Sequence, residues 1–425
     1  MSNIFLPFRK PRVTPNSTNE YSAMPRRLNN GLALMPRWML LAALAAICLL
    51  AVVGCRPNLG ASTKGWGAVA VANGVVYATT RDGQVLALDD FGDGTVSTRW
   101  RSSVGGEDGF LGAYNPPAVG QHLYVAGIDG ILYALDLNAS GGAVGTVWRN
   151  PNVEPEDIVP LVGSPGLDEA GGIVAVGSED GGLYAFIAST GESLRWSPFR
   201  TDEREIWSTP LLRNGVAYFG SQNGKVYAVS LATGEVVWEY ATGGAVVAKP
   251  LIHQDMLIIG SFDRQLYALG LESGDLRWQF GADNWWWATP VSSGRMILAP
   301  SMDGKVYALN SSGGLLWAYD MGAPVVADPV LLQRGLAVAT VDGKLAVLRA
   351  TETDHGQAQE IASLTLGSGE IKAPLIISRS QATSDTGQPD SVYVGSDDGT
   401  VRRVEVVSGI NILWCYDTEE NTRCN

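Results

Sequence analysis

WSTPLLRNGVAYFGSQNGKVYAVSLATGEVVW, residues Trp207 to Trp238, is the stretch whose reading decides the fold. Pro210 to Leu212 opens a first strand, Asn214-Gly215 turns it, and Val216 to Ser221 forms a second. Asn223-Gly224 is a two-residue hairpin signal, because Asn and Gly tolerate the positive φ that such a turn demands. Lys225 to Leu231 alternates apolar and polar residues, Thr233-Gly234 turns again, and Glu235 to Tyr240 closes across Trp238. Four short strands in about forty residues is the period of a propeller blade.

The same pattern recurs along the chain. The residue closing the middle hairpin falls at Gly83, Gly130, Gly181, Gly224, Arg264, Gly304, Gly343 and Gly399, at spacings of 47, 51, 43, 40, 40, 39 and 56. A Trp ends seven of these eight copies, at Trp100, Trp148, Trp196, Trp238, Trp278, Trp317 and Trp414, while the seventh copy offers Leu364 at about that place. An indole on the outer strand of each blade is expected to dock on the next blade and bury about 150–250 Å². At about 25 cal/mol per Å², that is about 4–6 kcal/mol of gross burial per blade. Asn138 to Thr146, Asp168 to Gly172, Thr351 to Glu360 and Arg379 to Asp390 lengthen individual copies and read as solvated loops. The expected fold is therefore all-β: an eight-bladed propeller of four-stranded antiparallel blades over residues 66–425. No terminal strand exchange is evident, so blades one and eight are expected to close the ring by packing.

Residues 1–54 read differently. Arg9, Lys10, Arg12, Arg26, Arg27 and Arg37 stand against the single acid Glu20, and Trp38 to Gly54 is an uncharged apolar run of 17 residues. A basic flank, a short apolar run and a small-residue exit are the marks of a secretory signal. Met24 or Met35 would open a more compact one. The exit, Val52-Val53-Gly54-Cys55, resembles a bacterial lipobox, which implies lipid on Cys55 and a tether over residues 55–65; an uncleaved signal anchor is the alternative. Either sends the body out of the cytoplasm. Beyond Cys55, 24 basic residues face 42 acidic ones, a net of −18, which repels nucleic acid and anionic lipid. The two cysteines left there, Cys415 and Cys424, form a disulfide pinning the tail or stay as thiols.

Two segments carry a family resemblance. AVSLATGEVVW (Ala228 to Trp238) and ALGLESGDLRW (Ala268 to Trp278) resemble the tryptophan-docking repeat of pyrroloquinoline-quinone (PQQ) propellers, with Ala, Gly and Trp at fixed spacing. Copies three and six keep the motif with one residue gained or lost. The resemblance to these propellers covers residues 66–416, and with the lipobox and eight blades the whole chain resembles the BamB-type lipoproteins. That resemblance implies an outer-membrane assembly scaffold that binds other envelope proteins, and no partner-binding residue is transferred by it. Quinoprotein dehydrogenases of similar repeat hold PQQ under a disulfide between adjacent cysteines, with calcium and an Asp base; this chain has no Cys-Cys pair, so neither PQQ nor a metal is expected.

Other chemistry is sparse. The three His (His122, His253, His355) lie in different copies. Asp82, Asp129, Asp180, Asn223, Asp263, Asp303, Asp342 and Asp398 precede the hairpin residues; they read as turn chemistry rather than as a calcium ring, and give one rim a negative cast.

Strands alternate direction, so the linker entering each first strand shares that rim. Fourteen residues before the hairpin residue, thirteen in copy two, stand Pro117, Pro210, Pro250, Pro290 and Pro329, and three earlier stand Tyr114, Trp207, Val247, Trp287 and Val326. Trp66 is the equivalent in copy one, with Asp157 and Ile371 as approximate equivalents in copies three and eight. Trp285 and Trp286 add two indoles to Trp287. Thr190-Gly191, Thr233-Gly234 and Ser273-Gly274 are expected on the opposite end. The face reads either as a docking surface for a protein segment, with at least two indoles exposed, or as a structural plug.

Three functions are compatible with these features: a non-catalytic, lipid-anchored monomeric scaffold; a PQQ-dependent oxidoreductase or its subunit; and a sensor of carbohydrate or another small ligand. The scaffold is expected, in the outer membrane if the cell has one and otherwise on the outer face of the cytoplasmic membrane.

Overall fold

Asn214 and Gly215 both take positive φ, 50° and 76°, and this lets the chain reverse in two residues. The turn sets up blade 4, whose strands run Leu211–Arg213, Val216–Gly220, Lys225–Ser230 and Val236–Ala241 in antiparallel order. Arg264 fills the glycine place in blade 5 with φ 72°. The computed structural model describes residues 68–80, 83–103, 113, 115–139, 144–151, 159–168, 172–202, 204–349, 358–367, 369–378 and 390–424. The expected signal (1–54), Cys55, the tether (55–65), Trp66, Asp82, Tyr114, Asp157 and His355 lie outside the described residues.

Eight sheets form, each from one unbroken run of chain: residues 69–103, 118–150, 166–200, 211–241, 251–281, 291–320, 330–365 and 376–423. The fold is an eight-bladed β-propeller, with no helix among the described residues. Seven blades are four-stranded. Blade 8 has five strands, because the chain turns back after Ile410–Asp417 and Thr422–Arg423 pairs with it. Cys415 and Cys424 are bonded across that return, and the Cys424 N–H donates to the Cys415 carbonyl at 3.1 Å.

The apolar core lies between blades rather than within one. Val226, Ala228 and Trp238 of blade 4 pack with Leu257, Ile259 and Leu269 of blade 5, and the unit repeats around the ring. A register shift interrupts the third and fourth strands beside the Trp, between Ala228 and Val229 in blade 4 and between Ala268 and Leu269 in blade 5. Such a bulge re-aims the side chain next to it. In blade 7 the shift falls between Val347 and Leu348, and Val347 pairs with Ala362. Ala362, not Leu364, is therefore the residue standing in the Trp place; Leu364 pairs with Leu345 and packs against the core shared by blades 7 and 8.

Blades 1 and 8 close the ring without exchanging a strand. Tyr393, Val401, Trp414 and Tyr416 pack with Val69, Val76, Leu86 and Leu88. Across the same seam Arg403 pairs with Asp90 at 2.7 Å, the side chains 12% and 2% exposed, and the Tyr393 hydroxyl also donates to Asp90. An ion pair this buried is specified by the hydrogen bonds around it, here from Tyr393 to Asp90 and from Arg403 to Ser391.

Candidate partner-docking face

The mouth of the propeller is built by a repeated backbone pattern. The residue two places before each hairpin residue donates its N–H to the linker entering its own blade: Gln222 to Glu205, Phe262 to Ala245, Met302 to Trp285 and Val341 to Pro324, at 2.8–2.9 Å. The next linker residue donates back to the hairpin of the preceding blade, Ile206 to Ser178 at 3.0 Å and Val246 to Ser221 at 3.1 Å. Linkers and middle hairpins thus share one end of the propeller. Each gap between blades presents one hairpin side chain and the flanking linker side chains, as in Glu179 with Glu205 and Trp207, Gln222 with Ala245 and Val247, and Phe262 with Trp285 and Trp287.

Extended linker backbone sends successive side chains to opposite sides. Trp285 and Trp287 both stack on Phe262, with ring centroids 4.5 and 5.6 Å apart, and are half-buried beside Met302, Val326 and Val341. Trp286 goes the other way. It is fully buried against Ile258, Ile297 and Tyr307, and its indole N–H donates to the Arg264 carbonyl at 3.1 Å. The expectation that Trp286 belongs to an exposed partner face is corrected: it fills the inter-blade slot that Ile206, Val246 and Val325 fill elsewhere, over the bare Gly260. The expectation of at least two exposed indoles is corrected with it, because Trp207, Trp285 and Trp287 are half-buried against their neighbours. Ile371 is also a core residue of this set, 1% exposed, and Lys372 beside it occupies the face.

Trp207 is half-buried on the same end, one gap removed from Gln222. Phe262 was not singled out by sequence, because it stands in a hairpin whose neighbours Asp263 and Arg264 already explain the turn. The signal was its place, aligned with Gln222 and Met302.

Among the described residues, the aspartates before the hairpin residues are occupied locally. Asp180 accepts from the Gly182 N–H at 2.8 Å and the Tyr184 hydroxyl at 2.6 Å, and Asp263 and Asp303 accept from Tyr267 and Tyr307 in the same way. Burial first, then the carboxylate, pushes the Tyr184 phenol up to about 12, and raises Tyr267 and Tyr307 likewise. Such occupied carboxylates serve the turn. Among the described residues no cluster of three or more His, Cys, Asp or Glu has metal-holding geometry. His253 is buried with Nε2 3.0 Å from the Ser311 hydroxyl, which itself donates to the Arg295 carbonyl. The residues also do not fit PQQ: Cys415 and Cys424 are bonded nine positions apart at the outer edge of blade 8, not adjacent on the channel face.

Glu179 and Glu205 differ from the turn acids. Burial, then the Glu205 carboxylate, raises Glu179 above the usual carboxylate range, with the Trp207 indole acting against both. The buried Trp207 N–H nonetheless closes no hydrogen bond of good geometry, and the Gln222 side-chain amide nitrogen is likewise buried without a partner.

On the opposite end lie the turns after the third strands. Trp148, Trp196, Trp238 and Trp278 stand over Gly191, Gly234, Gly274 and Gly313 of the following blade, where an added Cβ would come within 2.5–2.7 Å of the indole. Their N–H groups donate to Ala188, Leu231, Leu271 and Ser311 at 2.9–3.0 Å. Trp100, Trp317 and Trp414 are 1–3% exposed.

A family model described as Outer membrane protein assembly factor BamB matches residues 56–205, 200–285 and 282–423. The BamB of Burkholderia pseudomallei (strain K96243) is 32% identical over 145 residues, 34% of this chain and 34% of that one. The chain spans 34% to 42% of the length of the curated relatives it matches. BamB from Moraxella catarrhalis superposes with a TM-score of 0.56 at 18% identity, covering 71% of this chain and 87% of that one. A europium-containing methanol dehydrogenase superposes with a TM-score of 0.60 at 13% identity, covering 79% and 84%. At these identities the two structures share the fold alone, which scaffolds and enzymes both use. The family match, by contrast, runs through all eight blades, and the chain belongs to the BamB family of PQQ-repeat β-propellers.

Proposed function

We propose that this protein is a non-catalytic scaffold of the cell envelope that serves outer-membrane protein assembly. The observation that carries the reading is the family match from residue 56 to residue 423. It acts as a monomer, needs no cofactor, and is held at the membrane by lipid on Cys55. The face of Trp207, Trp285 and Trp287 is where partner proteins dock. A half-buried aromatic cluster beside unoccupied polar groups is the composition from which interface hot spots are made.

The test is capture of the tagged protein from detergent-solubilised envelopes. Barrel-assembly proteins should co-elute with the parent, and Cys55→Ser should leave the protein as unprocessed precursor or release it from the membrane fraction. Absence of every barrel-assembly protein from the eluate would overturn the scaffold reading. Unchanged lipid labelling of Cys55→Ser would overturn the anchor.

A further inference from the structure

The eight inter-blade gaps are equivalent by construction, so differences among them carry information. Between blades 3 and 4 the gap presents Glu179, Glu205 and Trp207, and neither glutamate is paired with a cation among the described residues. The next gap presents Gln222, whose amide nitrogen is buried and unpartnered. The two gaps after that are apolar, with Phe262, Trp285 and Trp287 followed by Met302 and Val326. At blade 8 the acids Glu370 of the entering linker and Asp397 of the hairpin are already neutralised by Lys372. The face is therefore not a uniform ring. It is an arc with an unneutralised acidic end, a polar middle and an aromatic end.

We propose that this arc receives an extended polypeptide segment of a partner protein, with a lysine or arginine at Glu179 and Glu205 and apolar side chains on Phe262, Trp285 and Trp287. The assignment rests on the scaffold reading and names the chemistry of the partner. Two neighbouring carboxylates in a half-buried place repel one another, and a cation between them removes that repulsion while replacing lost hydration. The Gln222 amide nitrogen, a donor without a partner, lies between the two ends and matches a carbonyl of an extended backbone once its side chain turns outward. Anionic lipid and nucleic acid are opposed by the two glutamates.

The test uses fluorescence anisotropy of the detergent-solubilised full-length protein with three labelled, end-blocked peptides. One carries a single arginine followed by leucine and phenylalanine, a second replaces the arginine by glutamate, and a third replaces the apolar residues by serine. The arginine peptide should bind, with the other two about tenfold weaker or more. Glu205→Gln and Glu179→Gln should each weaken the arginine peptide by about tenfold and strengthen the glutamate peptide. Thermal melting of each variant verifies folding. Equal binding of the arginine and glutamate peptides would overturn the proposal. So would unaltered binding by both folded variants, no binding at millimolar peptide, displacement by a neutral oligosaccharide, or a self-associated dimer that the arginine peptide does not dissociate. If barrel-assembly proteins co-elute with the parent while the peptide results fail, the scaffold reading stands and this assignment falls. If the peptides behave as expected and no such protein co-elutes, the scaffold reading falls instead.

Discussion

Four tryptophans of the repeat are docked and three are only buried, and the difference separates two things that a repeat motif conflates. Trp148, Trp196, Trp238 and Trp278 each lie over a glycine of the next blade and donate to its backbone, though three of them remain partly exposed. Trp100, Trp317 and Trp414 are almost wholly buried, yet their indole N–H groups meet no acceptor among the described residues. The blades that receive these three are blades 2, 7 and 1, whose corresponding turns depart from the short Thr-Gly or Ser-Gly form. Docking needs a particular turn in the neighbour, whereas burial needs only space. A buried donor left unpaired costs about 1–3 kcal/mol, so the three deeper tryptophans gain less per Å² than the four shallower ones.

The largest expected effect falls on both groups alike. Trp238→Ala, Trp317→Ala and Trp286→Ala should each lose about 3–5 kcal/mol in equilibrium denaturation, because each opens a large cavity. A near-neutral Trp286→Ala would show that this indole is not the inter-blade residue its packing describes. Gly274→Ala comes next, at about 2–4 kcal/mol, since it combines an unfavourable φ of 71° with contact against Trp238. Gly215→Ala has a similar φ of 76° with open space around it, and should cost only about 1 kcal/mol.

Reduction of Cys415–Cys424 probes the joint where Trp414 is undocked. The bond closes a short loop, and its loss should cost about 2–3 kcal/mol by loop-closure entropy, read as a lower melting temperature in reductant. Arg423 donates to the Gly94 carbonyl, and Arg101 donates to the Thr418 carbonyl at 2.8 Å, so the tail also touches blade 1. The drop should therefore be accompanied by faster amide exchange in blade 1. A change confined to the last ten residues would show that the tail does not support the seam.

Tryptophan-to-phenylalanine substitutions sharpen the contrast most directly. Trp238→Phe removes a hydrogen bond and should cost about 1–2 kcal/mol more than Trp100→Phe, which removes an unpaired donor. Equal costs would dissolve the distinction. The smallest effect concerns charge. Glu179 has a raised folded value, so ionising it disfavours the fold, and stability is gained as pH falls from above that value toward the ordinary carboxylate value. Glu179→Gln should melt slightly higher than the parent at neutral pH, and the difference should vanish in acid, where both side chains are neutral.

Much of this was legible in the sequence for a physical reason. Asn-Gly, Asp-Gly and Thr-Gly steps constrain φ, so the turns, and with them the blade count, follow from residue type alone. The place of Ala362 was not legible, because the lengthened loop before it shifts the count and only the ladder pairing with Val347 restores it. The fates of Trp285, Trp286 and Trp287 were also hidden. All three are chemically the same, and which one points inward depends on Gly260 leaving room in the neighbouring blade. Phe262 illustrates a third limit: its partners come from the following linker, more than twenty residues on, so no local window contains the stack.

The seam between blades 1 and 8 has a consequence for how such a chain changes over generations. Because every sheet is one continuous stretch of polypeptide, duplication or deletion of a forty-residue gene segment adds or removes a whole blade and cuts none. Hairpin residues at 224, 264, 304 and 343 have near-equal spacing, as expected of copies that have diverged little in length since such an event. The ring is then closed not by a shared strand but by side-chain packing where the last blade meets the first. Asp90 and Arg403 tie that joint: their buried ion pair forms only where the first and last blades meet.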